Sequence, residues 1–470
     1  MRSVPAATPP RQREKNLLIP SAIGQNADAL YSAFHSTMPS APSPRSSSHF
    51  HRVAARALLA AALELSAAWC FADADPPPLR IIAMSGTPVP GGGTFDRFQV
   101  EGQPAITPVN DDGKVAFFAT LARARASEGM FVSDGKHIEV IALNGTPSPG
   151  GGKLLSFAAH PVPALNRAGA IAFSASIAGG KASEGMFLSA NRRLRAIALS
   201  GSTAPGISGG AFSEFQAPAL NDSGDVVFLA SVRHRRDVLE AIYLYHAGKL
   251  RKIAAAGDAA PEGGTFEAFG APALNNKGEI AFAAVIDDGP YLGGIVVISP
   301  AGARLVVGTG ITEPFGGIIS QFSDRVSIND SGAVLFNTAL KLGPVAQALF
   351  VAEDEKLRPV ASVGRASSSN NPFSALGSWT ALSDDGSVAF IAAADDSSGT
   401  MGLYQADSTA PTRRAAVGDT LDDGAKLAAF PLYPAVAASP RGALAFTIVR
   451  ETAEGSNEAI VIAPPPKPAR

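Results

Sequence analysis

NDDGKVAF, residues 110–117, is the first of seven related phrases in this chain. The others are NRAGAIAF (166–173), NDSGDVVF (221–228), NNKGEIAF (275–282), NDSGAVLF (329–336), SDDGSVAF (383–390) and SPRGALAF (439–446). Their glycines, Gly113 to Gly442, are spaced by 56, 55, 54, 54, 54 and 56 residues. A period this even marks a repeat architecture. After each Gly, bulky apolar residues fall at every second position, as in Ile171 and Phe173, and the alternate position is small and apolar, as in Ala172. Period two predicts a strand, and apolar residues on both faces predict a strand buried on both sides. Phe117, Phe173, Phe228, Phe282, Phe336, Phe390 and Phe446 mark one face, and the other is mostly Ala. Such sheets can stack on one another, Phe over Ala.

The N-x-x-G unit reads as a turn. Its Asn can bond the backbone ahead, and its Gly can take the left-handed conformation that closes a hairpin. The Pro-Ala-Leu before it (218–220, 272–274) is then a strand paired with the Gly-x-x-Ala-Phe strand. A third strand follows, as in GMFLS (185–189), then a fourth, as in LRAIALSG (194–201), then a Gly/Pro-rich crossover such as NGTPSPGGG (144–152). Four antiparallel strands in about 55 residues make one propeller blade. The last copy supplies three strands, ending in NEAIVIAP (457–464), and LRIIAMSG (79–86) is an orphan fourth strand near the other end. The expectation is an all-β, seven-bladed β-propeller whose last blade is closed by the N-terminal strand, which removes an exposed sheet edge. The alternative, an open β-solenoid, has no need of complementary partial repeats at its ends.

Ahead of the repeats lies a different kind of sequence. Residues 39–48 are Pro/Ser-rich, and Arg45, Arg52 and Arg56 precede an apolar run at about 57–72. That run ends in Ala72-Asp73-Ala74, giving the three-part layout of a secretory signal peptide. It is short for a membrane span and carries Glu64, which weighs against a transmembrane anchor. Residues 1–74 therefore read as a leader, 75–464 as the propeller and 465–470 as a disordered tail, and residues 1–37 read as an over-extended start, with Met38 as a more ordinary one. The expected location is secreted or periplasmic, with no membrane span after signal cleavage, and the expected state is a monomer.

Composition excludes several classes. A chain of 470 residues with 46% hydrophobic residues is too apolar for disorder and too long for one ordinary domain unless it is modular. A single cysteine, Cys70, excludes a disulfide framework and a Cys-based zinc site. A net charge of −2 excludes a generally basic nucleic-acid binder.

These phrases resemble the bacterial tandem-repeat proteins defined by an N-x-x-G-x-x-A-F motif, over essentially Leu79 to Pro464. Asn stands in five of seven copies, with Ser383 and Ser439 in the others, and Val227 and Leu335 interrupt the Ala-Phe pair. The resemblance implies an exported, propeller-like protein of uncharacterised activity and supplies no catalytic residues.

Enzyme signals are weak. There is no G-x-S-x-G, P-loop or H-E-x-x-H, and His137, His160, His234 and His246 form no metal-ligand spacing. The acidic N-D-D-G and N-D-S-G turns lack the full alternating loop that calcium wants, so no metal or other cofactor is expected. Arg123, Arg125 and the run Arg233-His234-Arg235-Arg236 read as solvated loops between second and third strands, with a polyanionic glycan as the sharper alternative.

On a symmetric scaffold, function lives where copies differ. Most copies read Phe-x-Ala-Pro or similar before the turn. The departures are Gln103, His160, Gln216, Asp324, Arg325, Trp379 and Tyr433, which are expected to rim the channel mouth on the crossover side as a polar and aromatic ligand site. The plain alternative is an Asp324–Arg325 ion pair with Trp379 and Tyr433 plugging the channel. The expected function is binding or scaffolding through the crossover-loop face, for a glycan, peptide or protein. The competing readings are a propeller hydrolase or lyase, which needs titratable groups such as His160 and Asp324 to converge, and a structural matrix protein.

Overall fold

The structure is a computed structural model that describes residues 79–364, 373–395, 399–407 and 410–465. The leader and the C-terminal tail expected from sequence fall outside these residues, apart from Pro465. Among the described residues every regular element is a strand, and the fold is all-β, of the propeller type.

The third copy shows the plan. An inner strand comes in two pieces, Ala211–Phe215 and Ala219–Leu220, and both pair with Val226–His234. That strand pairs with Asp237–His246, which pairs with Lys249–Ala255, all antiparallel. The inner strand breaks because Pro218 has no N–H to give the ladder. Across the described residues the strands make six hydrogen-bonded sheets, one of them nine-stranded. That large sheet consists of a four-stranded meander and a second meander whose inner strand comes in two pieces, joined by one parallel bridge, Val363 to Phe373.

The two ends of the repeat region meet. Arg80–Met84 pairs antiparallel with Gly455–Ala463, Arg80 opposite Ile462 and Met84 opposite Ala459. One packed cluster joins Ile82 and Ala445 with Phe117 and Phe131, so the last copy packs on the first.

Packing between copies follows the two-faced strands. Ala172 and Met186 of one copy lie against Phe228 and Tyr243 of the next. Ala281 and Ile295 lie against Phe336 and Phe350 in the same way. The Phe of each phrase is fully buried, and several stack on the ring across the strand, as Phe173 does on Phe187 at 5.7 Å. Each such ring contributes roughly 1.5–3 kcal/mol by leaving water.

The turns do more than reverse the chain. Gly224 has φ of +82°, the left-handed conformation the turn requires. Asn166 Oδ1 accepts the N–H of Ala170 at 2.9 Å, which holds its own turn. Its Nδ2 donates to the carbonyl of Asn221 in the next copy at 3.0 Å. Asn110, Asn221, Asn275 and Asn329 reach the following copy likewise. These asparagines are buried, so their bonds form away from competing water.

Candidate functional site

The inner strands surround a central channel, and the residue four before each turn Asn or Ser sets its constriction. Those residues are Ile106, Val162, Ala217, Ala271, Arg325, Trp379 and Ala435. Ile106, Val162, Ala217, Trp379 and Ala435 form one apolar cluster. Arg325 lies over the face of Trp379, its guanidinium carbon 4.1 Å from the ring centroid.

Local sequence explains this placement. The fifth copy has Val326 where the third and fourth have Pro218 and Pro272, which leaves an N–H for the ladder there, and its inner strand is one piece, Ile318–Ile328. Its pairing steps from Phe322 opposite Thr338 to Val326 opposite Phe336, which leaves the intervening residues bulged from the ladder. The bulge leans on the fourth copy, where the N–H of Ala271 donates to the Asp324 carbonyl at 2.7 Å. Gly270 permits this approach, since a Cβ there would stand 2.2 Å from that carbonyl oxygen.

The seven sequence candidates fall in several surroundings. Arg325 and Trp379 come together at the constriction. Asp324, one residue nearer the crossover side, stands exposed on the bulge, yet desolvation by its surroundings raises its carboxyl above the usual value while Arg325 partly offsets this. Among the described residues the two make no ion pair, so the expected Asp324–Arg325 bridge is replaced by the Arg325–Trp379 stack. Gln216 is tied by its backbone N–H to Leu229 O, and Gln103 by its own to Val100 O. Tyr433 is half-buried beside exposed Leu432 and has no ring contact with Trp379.

His160 lines a separate cavity of about 220 Å³ with Glu184 and Glu214, away from Asp324. Burial lowers the imidazole pKa, against the pull of Glu214. Burial also raises Glu184 to about 7, with the Phe215 N–H opposing and Glu214 adding. Glu184 Oε1 accepts that N–H of the next copy at 3.3 Å. Glu128, Glu240 and Glu458 hold Phe157, Phe269 and Phe98 in the same manner. The recurrence makes this glutamate a clamp between copies.

Sequence reasoning missed the opposite mouth. The second residue of each turn, joined in the last copy by the third, Arg441, forms a belt around it. The N–H of Arg167 donates to Asp222 Oδ1, that of Asp222 to Asn276 Oδ1, that of Asn276 to Asp330 Oδ1, and that of Asp330 to Asp384 Oδ1, at 2.8–3.0 Å. The N–H of Arg441 closes the belt on Asp111 Oδ1 at 3.0 Å. Arginine cannot accept, so at Arg167 the link is ionic, with its guanidinium 3.8 Å from Asp111 and 3.6 Å from Asp222. Burial raises the Asp384 carboxyl, and Asp330 and Asp111 add to it. A cavity of about 290 Å³ runs from this belt down to Arg325 and Trp379. The available signal was the Asp or Asn at the second turn position, which read as ordinary turn chemistry because only the closed ring brings those side chains together.

The crossover side has a different character. The six large apolar side chains standing exposed among the described residues are Leu155, Val238, Leu292, Leu342, Val417 and Leu432. Leu155 and Val417 lie at a crossover or inner-strand start, Val238, Leu292 and Leu342 at or beside second-to-third-strand loops, and Leu432 in the break of the last inner strand, ahead of the constriction residue Ala435, so all six lie on the crossover half. Leu292 and Leu342 top adjacent loops and are 75% and 79% exposed. Exposed Arg123, Arg125, Arg233, Arg235 and Arg236 stand on loops or the strand ends beside them in the first and third copies, and exposed Asp287, Asp288, Glu451 and Glu454 likewise in the fourth and last. No group of three or more His, Cys, Asp or Glu able to hold a metal occurs among the described residues. No helix there is long and apolar enough to cross a membrane.

Ring-arranged sheets around a channel define the class as a propeller-type repeat protein. The chain belongs to the family described as "Family of unknown function (DUF7453)", which it matches over residues 44–291 and 109–460. No curated protein matches it in sequence. Among solved structures it is similar to an oligogalacturonate lyase in complex with manganese, at 12% identity and TM-score 0.43, covering 83% of this chain and 97% of that one. It is similar to the polysaccharide lyase Uly1 at 9% identity and TM-score 0.42, covering 82% and 97%. A mutant of Trypanosoma rangeli sialidase displaying trans-sialidase activity gives 12% identity and TM-score 0.34, covering 82% of this chain and 57% of that one. Likeness at this level transfers no activity to this chain.

Proposed function

We propose that this protein is an exported, seven-bladed β-propeller that acts as a binding or scaffold module and docks a protein partner on its crossover face. Seven blades follow if the nine-stranded sheet is read as two blades that touch at one bridge. Export rests on the leader layout before Ala74.

One observation carries the docking reading: every exposed large apolar side chain among the described residues lies on one side, while turns on the other side are bonded to one another. Protruding leucines beside separate basic and acidic loops suit a protein surface with apolar pockets and complementary charge. A glycan has little use for bare leucine tips. The hydrolase or lyase reading would rest on the cavity of His160, Glu184 and Glu214, where the glutamate already serves as a clamp.

The test is site-specific photo-crosslinking in the producing cell. Probes at Leu292 and Leu342 should capture the same protein, and a probe at Asn276 on the opposite face should not. The purified partner should then bind at least tenfold more weakly to Leu292→Asp/Leu342→Asp protein of unchanged melting temperature. Equal capture from both faces, or unchanged binding by that variant, would refute the proposal.

A further inference from the structure

Arg325 is the one charged residue at the channel constriction, where the equivalent positions hold Ile106, Val162, Ala217, Ala271, Trp379 and Ala435. Its guanidinium has one protein partner, the face of Trp379. Among the described residues it makes no side-chain hydrogen bond and has no carboxylate within ion-pair distance. Burial lowers its pKa only to about 10, so it stays charged at neutral pH. A guanidinium held in this way keeps a planar fork of N–H donors to offer. Contact with the ring face restrains the guanidinium while taking up none of its N–H donors in hydrogen bonds.

Arg325 lines the cavity that leads to the belt of turns. From Arg325 to Asn329 the inner strand rises about 13 Å, at ~3.3 Å per residue. A ligand entering there must pass Asp111, Asp222, Asp330 and Asp384, of which Asp111 and Asp222 are partly balanced by Arg167 and Arg441. That acidic rim disfavours a dianion such as phosphate. A single carboxylate at the end of a slender or polar chain meets both conditions, because it pairs with the fork in two-point fashion and leaves neutral or donor groups at the rim.

We infer that the channel holds a binding site for a carboxylate-terminated ligand, with Arg325 on Trp379 as its floor and the turn belt as its entrance. The site lies on a different part of the molecule from the crossover loops and stands apart from the docking reading.

Two sources of the carboxylate can be told apart by calorimetry on the purified protein. N-acetyl-trialanine is compared with its C-terminal amide, and methyl glucuronide with methyl glucoside. Selective binding of the peptide acid assigns a peptide C-terminus, and selective binding of the glucuronide assigns a sugar acid. The preferred acid should bind at least tenfold more tightly than its neutral partner. Arg325→Met should abolish that preference while the protein keeps its melting temperature or gains a little, since an enclosed charge is replaced by an apolar chain of similar length. Arg325→Lys should retain part of it. Equal binding of acids and neutral partners, no binding of either acid at millimolar concentration, or an acid preference that survives Arg325→Met would each overturn the inference.

Discussion

Asn166→Ala tests whether the turn asparagines hold the ring together. Asn166 is 5% exposed. Truncation removes the acceptor for the Ala170 N–H at 2.9 Å and the donor to the Asn221 carbonyl at 3.0 Å. Each hydrogen bond contributes about 1 kcal/mol net, and leaving a buried partner unsatisfied costs about 1–3 kcal/mol more. Because water can reach part of the turn after truncation, a loss of about 2–4 kcal/mol is expected in all. Asn166→Ser provides an internal comparison, since Ser439 Oγ already accepts the Ala443 N–H at 3.2 Å in the last copy. Serine preserves the bond within the turn but is too short for the one between copies, so it should lose about half as much as alanine. Urea unfolding followed by tryptophan fluorescence and by far-ultraviolet circular dichroism would measure both variants. A loss below about 1 kcal/mol for alanine, or equal losses for serine and alanine, would refute the view that this residue ties neighbouring copies.

Glu184 should make stability pH-dependent. Its carboxyl is raised from 4.5 to about 7 in the folded protein, so the folded state holds that proton more firmly than the unfolded chain does. Stability from this group is therefore full below pH 4.5, declines as pH rises toward 7 and is level above it. Glu184→Gln keeps an acceptor for Phe215 and should flatten that decline relative to wild type in melting curves from pH 4.5 to 7.5; an unchanged slope would count against the shift. Gly270→Ala places a Cβ 2.2 Å from the Asp324 carbonyl, whereas Gly224→Ala meets nothing within 4 Å and only the φ of +82°. The second should cost about 1–2 kcal/mol and the first clearly more, with thermal denaturation as the measurement and the reverse order as the disproof.

Strand character, repeat and end-to-end pairing were legible because each depends on local rules. Alternation at Ile171 and Phe173 reports a strand whatever surrounds it, and Asn with Gly at fixed spacing reports a turn. The partial repeats at 79–86 and 457–464 disclosed the pairing of Arg80 with Ile462, since each lacks what the other supplies. The candidate residues were legible only as departures from the repeat. Arg325 and Trp379 did converge, because they occupy equivalent positions in successive copies. His160 did not join them: it stands two residues farther from its turn than Val162, the constriction residue of its copy, and lines a different cavity.

The amino-acid order by itself determined which segments are strands, how they repeat and that the two ends must pair, because hydrogen-bonding period and turn chemistry act over a few residues. Tertiary structure alone decided that Asp111, Asp222, Asp330 and Asp384 share one belt, that Arg325 rests on Trp379 and that six apolar side chains stand on one side. Those relations link residues about 54 or more positions apart. They arise only when the circle of sheets sets a radius and brings equivalent positions of neighbouring copies within hydrogen-bonding reach.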